Sequence, residues 1–289
     1  MGLWVALAWV GGLASAAPGA AGAESRKLSV LLVGNSYTRF NVMPTLVRRI
    51  ADSVEKGPRM RVDSVAHAGY TLRMHWLRSE TRQRIRRRGY THVVLQGHSL
   101  APIERAAEFN RYAGQLNRVI DASRAHTVLY ETWARRADAA FYRERPDVDS
   151  PHAMQSVVGQ AYAALAGDLD AVVAPVGQAF AQTEVEAPEL SLHRGDGSHP
   201  TVLGSYLAAL VLYGTVSGTD VEQCAYRPWP VTRSEGRKVR VLASEVLARR
   251  TQRALDAQRD ADAGGALPET VSSEIVSAPA VENADEVAD

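Results

Sequence analysis

The sequence predicts a three-layer α/β domain in which a five-stranded parallel sheet is covered by helices on both faces. Five short segments of strand length alternate with segments of helical spacing, and they lie at residues 27–33, 59–66, 92–96, 127–133 and 171–177. The first is a continuous apolar run, and the second alternates apolar and polar residues. Helical segments between successive strands indicate parallel pairing with right-handed crossovers. Continuous apolar strands are typical of a sheet that is buried on both faces.

The first strand at residues 27–33 is followed by a helix that starts near Met43, with Pro44 in its first turn. Apolar residues at helical spacing then give this helix one buried face. Further helices are predicted at residues 72–87, 104–123, 153–169 and 201–216. A last helix at residues 234–259 is amphipathic in part, and its packing partner is left open.

Both ends of the chain differ from this pattern. Residues 1–23 contain an apolar stretch followed by small residues, with possible small-x-small cleavage sites at 14–16 and 21–23. This predicts a signal peptide, and therefore a secreted or periplasmic protein. No Lys or Arg precedes the apolar stretch, so a retained anchor, a buried Ala-rich helix or a misplaced start codon stay as alternatives.

Residues 260–289, at the other end, hold eight acidic residues and no basic ones. This composition predicts a disordered, solubilising tail after a domain at 24–259.

Composition excludes several classes of protein. The net charge is +1 and 46% of the residues are hydrophobic, as in ordinary globular proteins. No basic excess points to nucleic acid, and no interior apolar run is long enough for stable membrane insertion once the signal is cleaved. A single cysteine, Cys224, excludes an internal disulfide framework and a cysteine-based zinc site. Nothing in the sequence calls for a metal or cofactor, and the oligomeric state is left open.

Polar residues and glycines follow the carboxyl ends of the predicted strands, where the working residues of such sheets lie. In chain order these are Ser36, Gly69 with Tyr70, Gln96 with His98, Trp133, and a downstream loop with Asp196 and His199. The set includes a hydroxyl, an imidazole and a carboxylate, which are the members of a serine hydrolase.

The proposed roles follow from the chemistry of these groups. A serine hydroxyl becomes a good nucleophile when an imidazole takes its proton and a carboxylate orients that imidazole. Ser36 is therefore the candidate nucleophile, His199 the base and Asp196 the orienting acid. Backbone N–H groups of Ser36 and Gly69 are candidate donors to the developing oxyanion.

Structural alternatives exist for the same residues. Ser36 could simply cap a helix, and Asp196 could cap the helix that follows it. His193, Asp196 and His199 also have H-x-x-D-x-x-H spacing, which could ligate a metal. The metal interpretation leaves Ser36 and Gly69 unexplained, so we do not favour it.

Four segments resemble, in order, the blocks of the SGNH (GDSL-type) hydrolase superfamily, over roughly residues 27–218. VLLVGNSYT resembles the first block, with Asn35 where the family usually has Asp. AHAGYT resembles the glycine block, and DGSHP resembles the final D-x-x-H block. The resemblance implies a flavodoxin-like fold with Ser36, Asp196 and His199 as catalytic triad, in a poorly characterised bacterial branch with a GNS first block.

The third block departs from the family pattern. It reads VVLQGHS, without the usual G-x-N-D asparagine that donates to the oxyanion. It is more similar to the Gln-containing block of carbohydrate acetylesterases and sialate esterases. Gln96 is therefore the expected side-chain donor, with His98 as its rival. His98, Tyr70 and Trp133 are candidates for substrate binding, although Trp133 fits a core position equally well.

The sequence thus predicts a serine esterase that hydrolyses O-acyl esters through an acyl-enzyme on Ser36, without a cofactor. The expected substrates are small-molecule or carbohydrate esters, including O-acetyl sugars, by analogy with the resembling branch. Two alternatives remain: an O-acyltransferase that uses the same triad with a sugar acceptor, and a non-catalytic binding module that retains the fold.

Overall fold

The computed structural model describes residues 27–87 and 89–264. Its centre is a five-stranded parallel sheet with the order β2-β1-β3-β4-β5. The strands are β1 (Leu28–Gly34), β2 (Met60–Ala66), β3 (His92–Leu95), β4 (His126–Tyr130) and β5 (Val172–Ala174). The predicted α/β class and five-stranded parallel sheet are confirmed.

The helices lie between and after the strands. They are α1 (Ser36–Arg39), α2 (Met43–Ser53), α3 (Leu72–Leu77), α4 (Ser79–Arg86), α5 (Ala101–Glu104), α6 (Ala106–Ala122), α7 (Phe141–Glu144), α8 (Pro151–Leu169), α9 (Val176–Glu186), α10 (Val202–Ser217) and α11 (Arg233–Gly264). Two 3₁₀ turns, Phe40–Val42 and Pro146–Val148, complete the regular structure.

The sheet separates two hydrophobic cores because successive residues of a strand point to opposite faces. Val30 and Leu32 of β1 belong to one core, and Leu31 and Val33 belong to the other. Residues of α2, α9, α10 and α11 complete the first core, and residues of α4, α6 and α8 contribute to the second. The inner strands β1, β3 and β4 are therefore buried on both faces, as predicted, whereas the edge strands β2 and β5 keep partly exposed positions.

Helix α10 is buried around almost its whole circumference. The side chain of Thr201 caps its N-terminus by accepting a hydrogen bond from the Gly204 N–H at 3.1 Å. Thr201 lies two residues after His199, so this fully packed helix gives the histidine loop a rigid attachment.

Several element boundaries differ from the sequence prediction. The predicted helix 72–87 is two helices, because Arg78 has extended backbone angles, and helix 104–123 is interrupted at Arg105. Strand 127–133 ends at Tyr130 and strand 171–177 ends at Ala174. Helix α9 was not predicted, because its first apolar residues read as a continuation of the preceding strand.

The predicted ends can be compared only in part. The signal peptide at residues 1–23 lies outside the described residues. Helix α11 runs to Gly264, past the predicted helix end at 259 and into the predicted tail, while the remainder of the tail is outside the described part. Among the described residues, 27–87 and 89–250 belong to one compact unit, and 251–264 belong to a second. Within residues 27–87 and 89–264, no helix is long and apolar enough to cross a membrane.

Candidate active site

Ser36 lies at the first position of α1, immediately after β1. Asn35 shapes this turn with both the oxygen and the nitrogen of its side-chain amide. Its Oδ1 accepts a hydrogen bond from the Tyr37 N–H at 3.1 Å, and its Nδ2 donates to the Tyr70 carbonyl at 3.1 Å. The turn places Ser36 at the carboxyl end of β1, at the strand-to-helix turn where the sequence predicted it.

His199 and Asp196 reach Ser36 from a loop 160 residues away in sequence. His199 Nε2 lies 3.0 Å from Ser36 Oγ, and His199 Nδ1 lies 2.7 Å from Asp196 Oδ2. A carboxylate only accepts, so Nδ1 carries the hydrogen and Nε2 is left to accept the serine proton. The structure therefore brings the three predicted residues into one hydrogen-bonded chain.

The Asp196 carboxylate is fixed by its own loop. Its Oδ1 accepts hydrogen bonds from the N–H groups of Ser198 and His199, both at 2.9 Å. Partial burial raises the pKa of Asp196, but the hydrogen bonds from the His199 imidazole and these two N–H groups outweigh it and lower the pKa to about 2. Asp196 is therefore ionised at neutral pH and orients the imidazole as a full charge.

Aromatic side chains hold the histidine loop in place. Trp133 is stacked between Tyr37 and Phe180, with ring centroids 4.4 and 4.1 Å away. Its indole Nε1 donates to the Ser198 carbonyl at 3.0 Å, and the Tyr37 hydroxyl lies 2.7 Å from Ser198 Oγ. The sequence leaves Trp133 open between substrate binding and the core. The structure buries it in the core, where it supports the loop that carries His199.

A cavity of about 440 Å³ opens beside Ser36 and His199. Its lining comprises Asn35, Ser36, Tyr37, Phe40, Ala68, Gly69, His98, Ser99, Arg135, Ser198 and His199. Tyr70, the other aromatic candidate for substrate binding, is not part of this lining. Its carbonyl instead holds Asn35, and its ring lies beneath the guanidinium of Arg78.

Two backbone donors in this lining are available to a substrate. Among the described residues, neither the Ser36 N–H nor the Gly69 N–H has a hydrogen-bond acceptor. Gly69 has a positive φ of 71°, a conformation that side chains disfavour, and the space where a Cβ would stand is open. Both groups suit the oxyanion role that the sequence predicted for them.

Gln96 does not occupy the position expected of an oxyanion donor. It is buried outside the cavity lining, and its Oε1 accepts hydrogen bonds from the Asn35 N–H at 2.8 Å and the Thr38 hydroxyl at 3.0 Å. Its Nε2 donates to the Gly97 carbonyl. Since the Asn35 N–H requires an acceptor, the amide orientation is fixed, and the structure corrects the assignment of Gln96 from oxyanion donor to support of the nucleophile turn.

His98, the alternative candidate for the side-chain oxyanion donor, does line the cavity. Burial lowers the pKa of His98, and the positive charge of Arg135 lowers it further. The ring is therefore neutral at neutral pH. The Leu100 N–H donates to His98 Nδ1 through a long hydrogen bond of 3.4 Å, which leaves Nε2 as the protonated nitrogen.

Sequence reasoning missed Asn41, which joins the two halves of the site. Its Nδ2 contacts the carbonyl oxygens of Pro200 and Thr201 at 3.1 and 2.8 Å, and Ser205 Oγ at 2.8 Å. The segment after α1 is thereby tied to the segment after His199. Asn41 has a positive φ of 52°, which asparagine tolerates better than most residues, but the sequence carries no local signal of its distant partners.

His193 faces away from the other two members of the H-x-x-D-x-x-H spacing. Its Nε2 lies 3.0 Å from the Ala134 carbonyl, and its Nδ1 lies 3.2 Å from Glu184. Within the described part of the chain, no group of three or more His, Cys, Asp or Glu side chains is placed to hold a metal ion. Of the two histidines in this spacing, His193 is therefore a buried residue that contacts Glu184 and the Ala134 carbonyl, and His199 is the candidate base.

Known structures share this arrangement of strands and helices. A protein from Slackia heliotrinireducens, described as a candidate SGNH hydrolase, is 28% identical over 66% of this chain and all of its own, with a TM-score of 0.57. A DUF4886 family protein from Bacteroides uniformis is 15% identical over 77% of this chain and 95% of its own, with a TM-score of 0.68. A lipase/acylhydrolase from Enterococcus faecalis is 16% identical over 66% of this chain and 96% of its own, with a TM-score of 0.51.

No protein-family model matches the sequence, and no curated protein does so either. The two more distant structures show only the shared fold. The Slackia protein adds similarity of sequence along its whole length, and the sheet order agrees with the predicted fold. The fold and the sequence similarity to the Slackia protein support an SGNH-like superfamily for this chain.

Proposed function

We propose that this protein is a serine esterase that cleaves carboxylic esters through an acyl-enzyme on Ser36. The observation that carries the proposal is the hydrogen-bonded chain from Ser36 Oγ through His199 to Asp196, with distances of 3.0 and 2.7 Å. The cavity beside it and two unpaired backbone N–H groups supply room and charge stabilisation for an ester carbonyl.

In the first half-reaction, Ser36 Oγ attacks the ester carbonyl while its proton moves to His199 Nε2. The carbonyl oxygen becomes an oxyanion and accepts hydrogen bonds from the N–H groups of Ser36 and Gly69. The carbon–oxygen bond to the alcohol then breaks, and His199 returns its proton to the departing alcohol oxygen. Asp196 stabilises the imidazolium that exists between these two proton transfers.

In the second half-reaction, water gives a proton to His199 and its oxygen attacks the acyl carbon. The bond to Ser36 Oγ breaks, and His199 returns the proton to that oxygen, which releases the free acid.

We propose His98 Nε2 as a third oxyanion donor, because His98 is neutral and lines the cavity, whereas both atoms of the Gln96 amide already make hydrogen bonds elsewhere.

The substrates that we propose are O-acyl esters of small molecules or carbohydrates, encountered after export from the cytoplasm. The support is the Gln-containing third block, which resembles that of carbohydrate acetylesterases, and the predicted signal peptide. Transfer to a sugar hydroxyl instead of water uses the same residues, so product analysis with and without a sugar acceptor distinguishes the two reactions.

The test is hydrolysis of p-nitrophenyl acetate by wild type, Ser36→Ala and His199→Ala, with exposed Ser156→Ala and His152→Ala as matched controls. We expect both site variants to lose about three orders of magnitude or more in kcat/KM, since members of a triad act as a unit. Mass spectrometry after treatment with a fluorophosphonate should locate the adduct on Ser36. No wild-type turnover and no labelling of Ser36 would contradict the proposal and favour a binding module.

A further inference from the structure

Arg135 is the one formally charged side chain, besides the titratable histidines, in the cavity lining that the structure describes. It follows β4 and is half-buried. Ser36 and His199 line the same space, so the guanidinium shares a cavity with the candidate nucleophile and base. No carboxylate is part of that lining, because Asp196 lies behind His199.

The partners of Arg135 are neutral. Its Nη1 donates to the Tyr37 hydroxyl at 2.9 Å, and its Nη2 donates to Ser99 Oγ at 3.1 Å. None of the ion pairs found within residues 27–87 and 89–264 includes Arg135. Its neighbour Arg136, by contrast, pairs with Asp138 at 2.7 Å.

A guanidinium in this position has unused capacity for hydrogen bonding and an unbalanced charge. It offers five N–H donors, and the two hydroxyls accept two of them. Removing a cation from water without a counterion is unfavourable, so partly buried charges are normally paired. The two hydroxyls hold the planar group in one orientation, which prepares it for a planar anion rather than for solvent.

The surroundings of the cavity reinforce this positive potential. The Arg135 charge contributes to the lowered pKa of His98 across the cavity. Outside the lining, the Arg194 guanidinium lies 5.3 Å from the centre of the Phe40 ring, and that ring contacts His199 at 4.5 Å. Arg194 therefore adds a second positive charge near the cavity, while Arg135 is the arginine that lines it.

We infer that Arg135 recognises an anionic group, such as a carboxylate, on the ester that this site cleaves. The inference rests on the proposed esterase function and narrows its substrates to acidic esters. The carboxylate could belong to the alcohol, as in an acylated acidic sugar, or to the acyl group, as in a dicarboxylic half-ester. Both provide the same planar anion for the guanidinium.

Two matched pairs of esters test the inference and separate these sources. 4-Acetoxybenzoate and its methyl ester differ only in a carboxylate on the alcohol side. 4-Nitrophenyl hydrogen glutarate and its methyl ester differ only in a carboxylate on the acyl side. For each ester, kcat/KM is measured from release of the phenol and divided by the rate constant for hydrolysis of the same ester by hydroxide. The quantity compared is the ratio of this corrected kcat/KM for the acid to that for its methyl ester.

We expect the wild-type ratio to favour the acid in one pair by about tenfold or more, in line with a charge-assisted hydrogen bond. Arg135→Gln should reduce that ratio by about the same factor, whereas Arg194→Gln, which removes a charge outside the lining, should change it less than about threefold. Added salt should raise KM for the acid and not for the methyl ester. This salt comparison needs only wild type, so it holds even where Arg135→Gln folds poorly.

Equal wild-type rates within both pairs would overturn this inference and leave the esterase proposal intact. An equal loss of both members in a folded Arg135→Gln protein would also overturn it, because Arg135 would then only position Tyr37 and Ser99. Failure of wild type to cleave any of the four esters, together with p-nitrophenyl acetate, would overturn the esterase proposal itself.

Discussion

The side-chain oxygen of Gln96 accepts a hydrogen bond from the backbone N–H of Asn35 at 2.8 Å, at the residue directly before the candidate nucleophile. Gly34 makes this approach possible, because a Cβ there would lie 2.5 Å from the same oxygen. The turn that carries Ser36 is therefore held by a side chain from the end of the neighbouring strand, so Gln96 supports the position of the candidate nucleophile.

Replacing Gln96 and His98 should separate positioning from oxyanion stabilisation. Gln96→Leu leaves the buried Asn35 N–H without an acceptor, which should lower the free energy of unfolding by about 1–3 kcal/mol and reduce kcat as well. Gln96→Glu keeps an acceptor for this N–H but turns a buried carboxylate oxygen toward the Gly97 carbonyl, so it should be destabilised as well. Urea unfolding and steady-state kinetics on the same preparations measure both effects.

His98→Ala should lower kcat by about 10²–10³, the usual effect of removing one oxyanion donor. Its free energy of unfolding should change by less than that of Gln96→Leu, because His98 is only half-buried. A loss of kcat in Gln96→Leu at unchanged stability, with full activity in His98→Ala, would reverse the two roles.

Asp196→Asn should lower kcat by about 10³–10⁴, because a neutral amide stabilises neither the tautomer nor the imidazolium of His199. The exposed Asp138→Asn serves as the matched control and should stay within about threefold of wild type, as surface ion pairs contribute little. Activity of Asp196→Asn close to wild type would show that His199 is oriented without the carboxylate.

The pH dependence of Asp196 follows from its lowered pKa of about 2. The folded protein favours the carboxylate, so its stabilising contribution is present above the ordinary pKa and is lost as pH falls through about 2. Asp196 should therefore stay ionised between pH 4 and 9, and its titration should add no step to the pH–rate profile in that range. A pH–rate profile of both proteins checks this, and an acidic limb near pH 4–5 that is absent from the variant would contradict it.

His75 should make the protein less stable in mild acid. Burial lowers the pKa of His75 to about 4 and outweighs the hydrogen bond to the Gly34 carbonyl, which raises it. His75 takes up a proton near pH 6.5 in the unfolded chain but only near pH 4 in the folded chain. The free energy of unfolding therefore decreases as the pH is lowered from about 6.5 to about 4. The loss from pH 8 to pH 5 should be about 2 kcal/mol.

His75→Gln can keep the hydrogen bonds to Gly34 and Thr81 without titrating, so urea unfolding should show a flatter dependence on pH. The exposed His126→Gln should keep the wild-type dependence. Parallel curves for wild type and His75→Gln would mean that His75 binds its proton as readily in the folded protein as in the unfolded chain, which would contradict the prediction.

Asn41→Asp should weaken the connection between the two halves of the site. The change is nearly isosteric and replaces a donor with a carboxylate oxygen that faces the carbonyls of Pro200 and Thr201. We expect the free energy of unfolding to fall by about 2 kcal/mol and kcat to fall by at least about tenfold, since small displacements of a catalytic group are costly. The exposed Asn110→Asp is the control, and wild-type kinetics in Asn41→Asp would contradict this role.

The general organisation of the molecule could be predicted from local patterns. Apolar runs such as residues 27–33 predict strands buried on both faces, and the intervening helical segments dictate their parallel order. Ser36, Gly69 and Asp196 with His199 follow strand ends or the final loop, so topology alone brings them to one edge of the sheet. Helix α9 was missed because an apolar run after β5 has no period that separates a strand from a buried helix.

The finer composition of the site depended on tertiary contacts. Gln96 and His98 are two residues apart in one loop, yet only the buried Asn35 N–H determines that the first supports the turn and the second lines the cavity. Trp133 fits a cleft or a core position equally well until its stacking on Tyr37 places it in the core. That no carboxylate among the described residues pairs with Arg135 depends on all the elements packed around it. Local sequence patterns are enough to say which chemical groups gather at this edge of the sheet, because they specify the strands and the helices between them. Which of these groups face the cavity depends on hydrogen-bond partners that are distant in the chain, and only the folded structure brings those partners together.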